Sequence, residues 1–254
     1  MKHKGLTYYI IDMRQPGVDV NQLKQMNGHA SFNQVFITDA TIEDEMRVSE
    51  LGEGWKVATT TLMHERRGAD GARRYDAKIH LPGKVYEDYN EEIDHMLAPY
   101  VWYPQRTGRV DLLVEHAEAM GKYDDPSVRQ NIAKVITMAK AAEWTARRAR
   151  AAQEQGKPQG PEGSIGKLAA SHVARAANQA HTQIAGPDAM LTGDDSWMDG
   201  TIAEILVSTP AISIAGGTDE IQRNIISERI LKMPKEPRTD TDRPFREVPR
   251  NQVT

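Results

Sequence analysis

The chain has 254 residues, a formal net charge of -4 and no cysteine. Hydrophobic residues make up 39% and charged residues 27%, a balance typical of a globular protein with a sizeable core. The lack of cysteine excludes disulfides, thiolate metal sites and cysteine nucleophiles, and it fits a reducing compartment. The slight acidity argues against general nucleic-acid binding, and no apolar run approaches the ~18 residues of a membrane helix. We therefore expect a cytoplasmic protein that binds neither nucleic acid nor a membrane.

The first fifty residues carry strand patterns. β-branched and aromatic residues predict strands over residues 6–13 and 32–38, with a shorter strand over 18–23. Three strands form an incomplete sheet whose edges need covering. We therefore expect residues 1–52 to be part of a larger β-domain.

From residue 53 onward the pattern becomes helical. Apolar residues at helical spacing predict helices over 55–67, 91–97, 110–120, 126–150, 164–184, 196–207 and 218–231. The alanine-rich helix over 164–184 favours close packing between helices, as in a bundle. We expect a helical-bundle domain over residues 53–237, followed by a mobile polar tail over 238–254.

A glycine pair precedes the last predicted helix. Gly216 and Gly217 follow an apolar run, and Thr218 is a natural N-cap. Asp219 and Glu220 follow in the first turn, where acidic side chains suit the helix dipole. Because glycine has no Cβ, a backbone or a flat ligand can approach closely. The stretch predicts either a docking site or a buried turn between helices.

Familiar catalytic patterns are missing. The segment 160–167 resembles a phosphate loop, but its spacing has one residue too many, and Leu168 replaces the required Ser or Thr. The histidines lack metal-ligand spacing, so no metal site is predicted, and no nucleophile elbow occurs. Glu65 lies among mostly apolar helical neighbours, where a carboxylate can act as a base. The alternative is a surface glutamate in a charged cluster with Arg66 and Arg67.

Four motifs in order resemble the flavin-dependent acyl-CoA dehydrogenases. They are residues 32–36, 52–58 with 62–66, 160–168 and 216–226. The resemblance implies a mainly α fold, with a C-terminal four-helix bundle preceded by a remnant of an antiparallel β-domain. It also implies that the family's N-terminal helical domain and half of its β-domain lie outside these 254 residues. We therefore expect this piece to be inactive alone and prone to aggregate.

The resemblance implies an enzyme that performs FAD-dependent α,β-dehydrogenation of an acyl-CoA thioester. Electrons would pass to an electron-transfer flavoprotein, and the protein would form a homo- or hetero-oligomer, as a dimer or tetramer. Many members carry the catalytic base immediately before the Gly-Thr of the terminal segment, where this chain has Gly216. Other members place the base on the first helix of the C-terminal domain, and Glu65 matches that position. The resemblance therefore implies Glu65 as the base.

Further contacts follow from the same resemblance. Thr218, Asp219 and Glu220 would contact FAD at the helix start. Gln183 and Gly186 would contact the FAD of a neighbouring subunit. The implied substrate contacts are Met63, His64, Arg66 and Gly217.

Two departures from the family pattern keep alternatives open. The chain lacks a carboxylate at Gly216, and residues 121–125 do not match the family's flavin-pyrophosphate motif. One alternative is a non-catalytic partner subunit of a hetero-oligomeric acyl-CoA dehydrogenase. The other is a helical interaction module that binds no cofactor.

Overall fold

The computed structural model describes residues 3–30, 32–72, 81–101, 108–157, 160–237 and 244–248, without the side chains of 66–72, 93–101 and 245. The chain divides into two compact units, residues 1–97 with 236–254 and residues 98–235. The domain limits predicted at residues 52 and 237 remain predictions. Most of the predicted tail lies outside the described residues, which include only 244–248 of it.

The first unit contains two short antiparallel ladders. Strands β2 (Val18–Leu23) and β3 (Phe32–Ile37) form a hairpin, and β1 (Tyr8–Tyr9) pairs with β4 (Arg47–Val48). The predicted strands over 18–23 and 32–38 are therefore confirmed, the second one residue shorter. The strand predicted over 6–13 is wrong in length, because its partner β4 offers only two residues for pairing.

Helix α1 (Gly54–Ala72) begins in close contact with the residues that precede β1. The Gly54 amide donates to the Leu6 carbonyl at 2.8 Å, and a Cβ at Gly54 would lie only 2.7 Å from the Thr7 carbonyl carbon. Gly52 has a φ of +82°, in the left-handed region that favours glycine. The two glycines thus permit the tight entry into α1. Helix α2 (Lys84–Val101) follows, and it contains the shorter helix predicted over 91–97.

The second unit is helical. Its helices are α3 (Leu113–Ala119), α4 (Pro126–Glu154), α5 (Gly163–Ala185), α6 (Thr201–Ser208) and α7 (Asp219–Ile225), and α7 continues as a π-helical turn, Ile226–Ile230. Helix α5 packs against α3, α4, α6 and α7. The buried core between α3, α4 and α5 consists of Leu113, Ala117, Val128, Ile132, Val135, Ala177, Ala180 and Ile184. A second buried cluster joins the end of α5 to α6 and consists of Ala185, Ala189, Ile202 and Ile205. A mainly α fold is therefore confirmed.

Local signals explain where α4 and α6 begin. Pro126 is the first residue of α4, as predicted, and the Asp125 carboxylate accepts from the Ser127 amide at 2.7 Å. The helix predicted over 196–207 begins only at Thr201. Met198 and Asp199 have φ values of +51° and +52°, which break the helical path before that residue. Within the described ranges, no helix has both the length and the apolar character needed to cross a bilayer.

Candidate functional site

The predicted docking stretch forms a turn that is fixed by hydrogen bonds. Gly216 and Gly217 have φ values of +68° and +96°. The Gln222 side-chain amide donates to the carbonyl of Gly216 at 3.0 Å and to that of Gly217 at 3.3 Å. Thr218 caps α7, since its Oγ1 accepts from the Ile221 amide at 3.3 Å. The predicted N-cap is therefore confirmed, and side-chain hydrogen bonds from Gln222 close the turn.

The two glycines of this turn differ in their surroundings. Gly216 is exposed, and a Cβ there would meet no described atom within 4 Å. A Cβ at Gly217 would lie 2.7 Å from the Gln222 Nε2 atom. The backbone at Gly216 therefore presents an open, flat face, whereas Gly217 leaves room for the side chain that holds the turn.

Asp219 points into the helical unit. Its side chain is only 3% exposed, and its oxygens lie 3.1 Å from Lys167 Nζ and 3.0 Å from Arg175 Nη2. Burial would raise the pKa of Asp219, but the hydrogen bonds from Ser171 and Lys167 and the charge of Lys167 outweigh it and hold the pKa below its ordinary value. This ionised carboxylate joins α5 to the start of α7. The predicted contact of Asp219 with FAD stays a prediction.

Glu220, in contrast to Asp219, points to solvent. Its side chain is 77% exposed and lies 3.4 Å from Arg223 Nη1. The carboxylate is therefore accessible from solvent at the open side of the turn. Its predicted FAD contact is likewise untested.

Gln183 and Gly186 lie at the end of α5. The Gln183 Nε2 atom donates to Ser127 Oγ at 2.8 Å, its Oε1 accepts from Asn131, and its carbonyl accepts from Lys122 Nζ at 3.4 Å. Gly186 ends the helix with a φ of +64°. Gln183 thus joins α5 to α4 within this chain. The contact of both residues with the FAD of a neighbouring subunit stays a prediction.

The predicted base lies on α1, in the first unit. Glu65 is exposed, as are Met63 and His64 beside it. His64 lines a groove of about 290 Å³ together with the end of β4, the residue after it and other residues of α1, namely Val48, Ser49, Lys56, Val57, Thr60 and Thr61. The Arg66 side chain lies outside the described residues. The roles of Glu65, Met63, His64 and Arg66 remain predictions.

Several connecting residues were not anticipated from the sequence. Lys167, Ser171 and Arg175 lie four residues apart on α5, so they share one face and reach Asp219 together. The spacing of these polar residues at i, i+4 and i+8 was the sequence signal from which this polar helix face could have been predicted. Gln222 had no such signal, because its role depends on the turn that it holds. Among the residues that the structure describes, no group of three His, Asp or Glu side chains could hold a metal ion.

Residues 110–231 match the family model described as acyl-CoA dehydrogenase, C-terminal domain. The chain is similar to the acyl-CoA dehydrogenase IpdE1 of Mycobacterium tuberculosis, with 29% identity over 92% of this chain and 52% of that protein. It is also similar to the acyl-CoA dehydrogenase FadE34 of the same organism, with 25% identity over 92% of this chain and 27% of that protein. The chain thus spans about half the length of IpdE1 and about a quarter of FadE34.

Solved structures share the fold at low sequence identity. The Tcur3481-Tcur3483 steroid ACAD superposes with a TM-score of 0.67 at 18% identity, over 93% of this chain and 54% of that chain. The ChsE4-ChsE5 complex from Mycobacterium tuberculosis gives a TM-score of 0.61 at 19% identity, over 92% of this chain and 55% of that chain. Both likenesses concern the fold alone.

Proposed function

Because residues 110–231 match the family model of the acyl-CoA dehydrogenase C-terminal domain, we propose that the chain is part of an FAD-dependent acyl-CoA dehydrogenase. The observation that carries this proposal is the turn at Gly216. Its backbone is open to solvent, and the Gln222 side chain donates a hydrogen bond to its carbonyl. A fixed, flat backbone face is suited to a planar ring system, because no side chain keeps the ring away.

The residues of the turn fit the proposed cofactor in part. Gly217 and Thr218 offer backbone groups, and Glu220 offers an accessible carboxylate. The side chains of Asp219 and Gln183 already bond within the chain, so we propose that they position the turn and the end of α5. When bound, FAD would supply the acceptor for the hydride that leaves the substrate Cβ.

Glu65 is the proposed base. It would remove the α-proton of the acyl-CoA thioester while the bond between Cβ and hydrogen breaks, which leaves an α,β-unsaturated thioester. Met63, His64 and Arg66 are proposed to orient the thioester near it. We propose that an electron-transfer flavoprotein receives the electrons.

The test begins with protein purified gently from its source cells through a tag at its own locus, so that any natural partner stays bound. We expect a flavin absorption spectrum that bleaches when an acyl-CoA is added without oxygen. Glu65→Gln should keep the flavin and lower turnover with an artificial electron acceptor by at least about a hundredfold, the scale of a lost general base. The matched control is Glu92→Gln, an exposed glutamate on α2. Normal turnover of Glu65→Gln would contradict the assignment.

A non-catalytic partner subunit is the second candidate. It is favoured by the lack of a carboxylate at Gly216 and by the structural roles of residues 121–125, where Lys122 bonds to Gln183 and Asp125 caps α4. The two neighbours named as Tcur3481-Tcur3483 and ChsE4-ChsE5 suggest the same kind of two-chain assembly. This candidate expects a hetero-oligomer that turns over acyl-CoA equally well with Glu65→Gln. A homo-oligomer that binds FAD and is active would contradict it.

A further inference from the structure

Gln222 is the residue of α7 that bonds to the glycine turn, and only 5% of it is exposed. Its Nε2 atom donates to two successive carbonyls, that of Gly216 at 3.0 Å and that of Gly217 at 3.3 Å. One side-chain amide can satisfy both carbonyls, because its nitrogen carries two N–H donors. Both peptide groups of the turn are therefore tied to α7 by a single side chain.

These two bonds decide in which direction the amides of the turn point. In a trans peptide the carbonyl and the N–H of the next residue point in opposite directions. Because the Gly216 carbonyl bonds to Gln222, the Gly217 amide is directed away from Gln222. The Gly217 carbonyl directs the Thr218 amide away in the same manner. Neither amide donates a hydrogen bond to any residue that the structure describes.

The two faces of the turn have different surroundings. A Cβ at Gly217 would lie 2.7 Å from Gln222 Nε2, so the side chain of Gln222 fills the space on that face. Gly216 is exposed, and a Cβ there would meet no described atom within 4 Å. Gly217 and Thr218 are partly exposed. The face away from Gln222 is therefore open and carries two adjacent N–H donors.

We infer that Gln222 is a positioning residue for the flavin, an inference that rests on the proposed function. By holding both carbonyls, Gln222 turns the amides of Gly217 and Thr218 toward the face on which the flavin is proposed to lie. Fixed N–H donors favour the reduced flavin over the oxidised one, because the reduced ring carries more negative charge. Gln222 thus strengthens FAD binding and raises the reduction potential of bound FAD without touching the cofactor.

Gln222→Glu tests this role in protein purified gently from its source cells. The carboxylate keeps the size of the side chain but has no N–H to donate, so it repels the two carbonyls and releases the turn. We expect the dissociation constant of FAD to rise by about tenfold or more. Reduced FAD should lose more affinity than oxidised FAD, and a tenfold difference lowers the two-electron potential by about 30 mV. A spectroelectrochemical titration measures this potential.

Asn224→Asp is the matched control, because it makes the same change from amide to carboxylate at an exposed residue of α7. It should leave both the FAD affinity and the potential unchanged. Gln222→Met removes the donor without adding a charge, and the FAD that it retains should also have a lowered potential.

The potential separates positioning from folding. A residue that only stabilised the fold would change how much FAD is bound, but not the potential of the FAD that remains. An unchanged potential in both Gln222 variants would overturn the inference and leave the proposed function intact. A wild-type preparation without flavin would overturn the proposed function, and this inference with it.

Discussion

The two compact units bury their apolar side chains to very different degrees. Among the described residues, the buried hydrophobic side chains all lie in the helical unit, where Leu113 and Ile184 are fully buried. In the β2–β3 hairpin, Phe32, Phe36 and Ile37 are 47% to 59% exposed. The helical unit therefore has a core of its own, whereas the hairpin carries apolar side chains that remain to be covered.

The two units also differ in how deeply their polar side chains are buried. In the helical unit, Asp219 forms a largely buried ion pair with Lys167, and His116 and His181 form a buried hydrogen bond. The ion pairs described in the first unit have at least one exposed partner, as in Arg47 with Asp44 and Lys56 with Glu53. Exposed pairs contribute little to stability, so polar substitutions should have larger effects in the helical unit.

The largest expected effect tests the core itself. Ile184→Ala should lower the free energy of unfolding by about 3 kcal/mol, because it removes a fully buried side chain and leaves a cavity. Phe36→Ala, at a side chain 47% exposed, should change it by less than about 1 kcal/mol. Urea unfolding followed by circular dichroism measures both. Equal losses in the free energy of unfolding would mean that buried side chains of the helical unit stabilise the protein no more than exposed side chains of the hairpin.

Acid should destabilise the helical unit through its histidines. Because burial lowers the pKa of His116 from 6.5 to about 4, the unfolded chain binds more protons than the folded chain between these values. Stability is therefore full above pH 6.5 and falls as the pH drops toward 4, by roughly 3 kcal/mol for His116. The lowered pKa of His181 acts in the same direction. Urea unfolding from pH 7.5 to pH 4 measures this slope.

The variant His116→Asn checks the source of this acid sensitivity. An asparagine amide can donate to His181 in place of the imidazole Nδ1, but it does not titrate. We expect lower stability at pH 7, since the stacking on Trp197 is lost, together with a flatter slope between pH 6.5 and 4. An unchanged slope would assign the acid sensitivity to other groups.

Removal of the Asp219 charge should have an intermediate effect. Asp219→Asn leaves Lys167, whose side chain is only 19% exposed, without its counter-ion. We expect a loss of about 2 kcal/mol, below the range for fully buried pairs because Arg175 is half exposed. Glu220→Gln, at a side chain 77% exposed, is the matched control and should be nearly neutral in urea unfolding. A neutral Asp219→Asn would mean that the ion pairs do not stabilise the unit.

The smallest expected difference is the one between the two glycine variants. Gly217→Ala should destabilise by about 2 kcal/mol, because it combines backbone strain with a forced movement of Gln222. Gly216→Ala should cost about 1 kcal/mol, since its Cβ enters open space and only the strain remains. The midpoint temperatures of thermal unfolding of the two variants show which substitution is the more destabilising. The reverse order would mean that Gln222 does not hold the turn.

The sequence predicted features that depend on near neighbours. The N-cap at Thr218 and the start of α4 at Pro126 follow from residue types within a single turn of helix. The mainly α fold followed from the helical spacing of apolar residues and from the family resemblance. Strand lengths were less predictable, because the extent of β1 depends on how many residues β4 offers.

Contacts between residues far apart in the chain could not be predicted from the sequence. Lys167 and Asp219 are 52 residues apart, and His116 and His181 are 65 residues apart. Which polar residues meet depends on how α5 packs against its neighbours, and spacing along the chain does not contain that information. The inward direction of the Asp219 carboxylate could not be read from its place in the first turn of α7 for the same reason.

Side chains along helix α5 bond to a different part of the chain at almost every helical turn. Lys167, Ser171 and Arg175 face Asp219, His181 bonds to Arg109 and His116, and Gln183 bonds to α4. Inserting one residue within this helix would rotate every later side chain by about 100° and separate them from their partners. Length differences among relatives should therefore fall between Glu154 and Gly163, ahead of the helix, while the register from Lys167 to Gln183 stays constant.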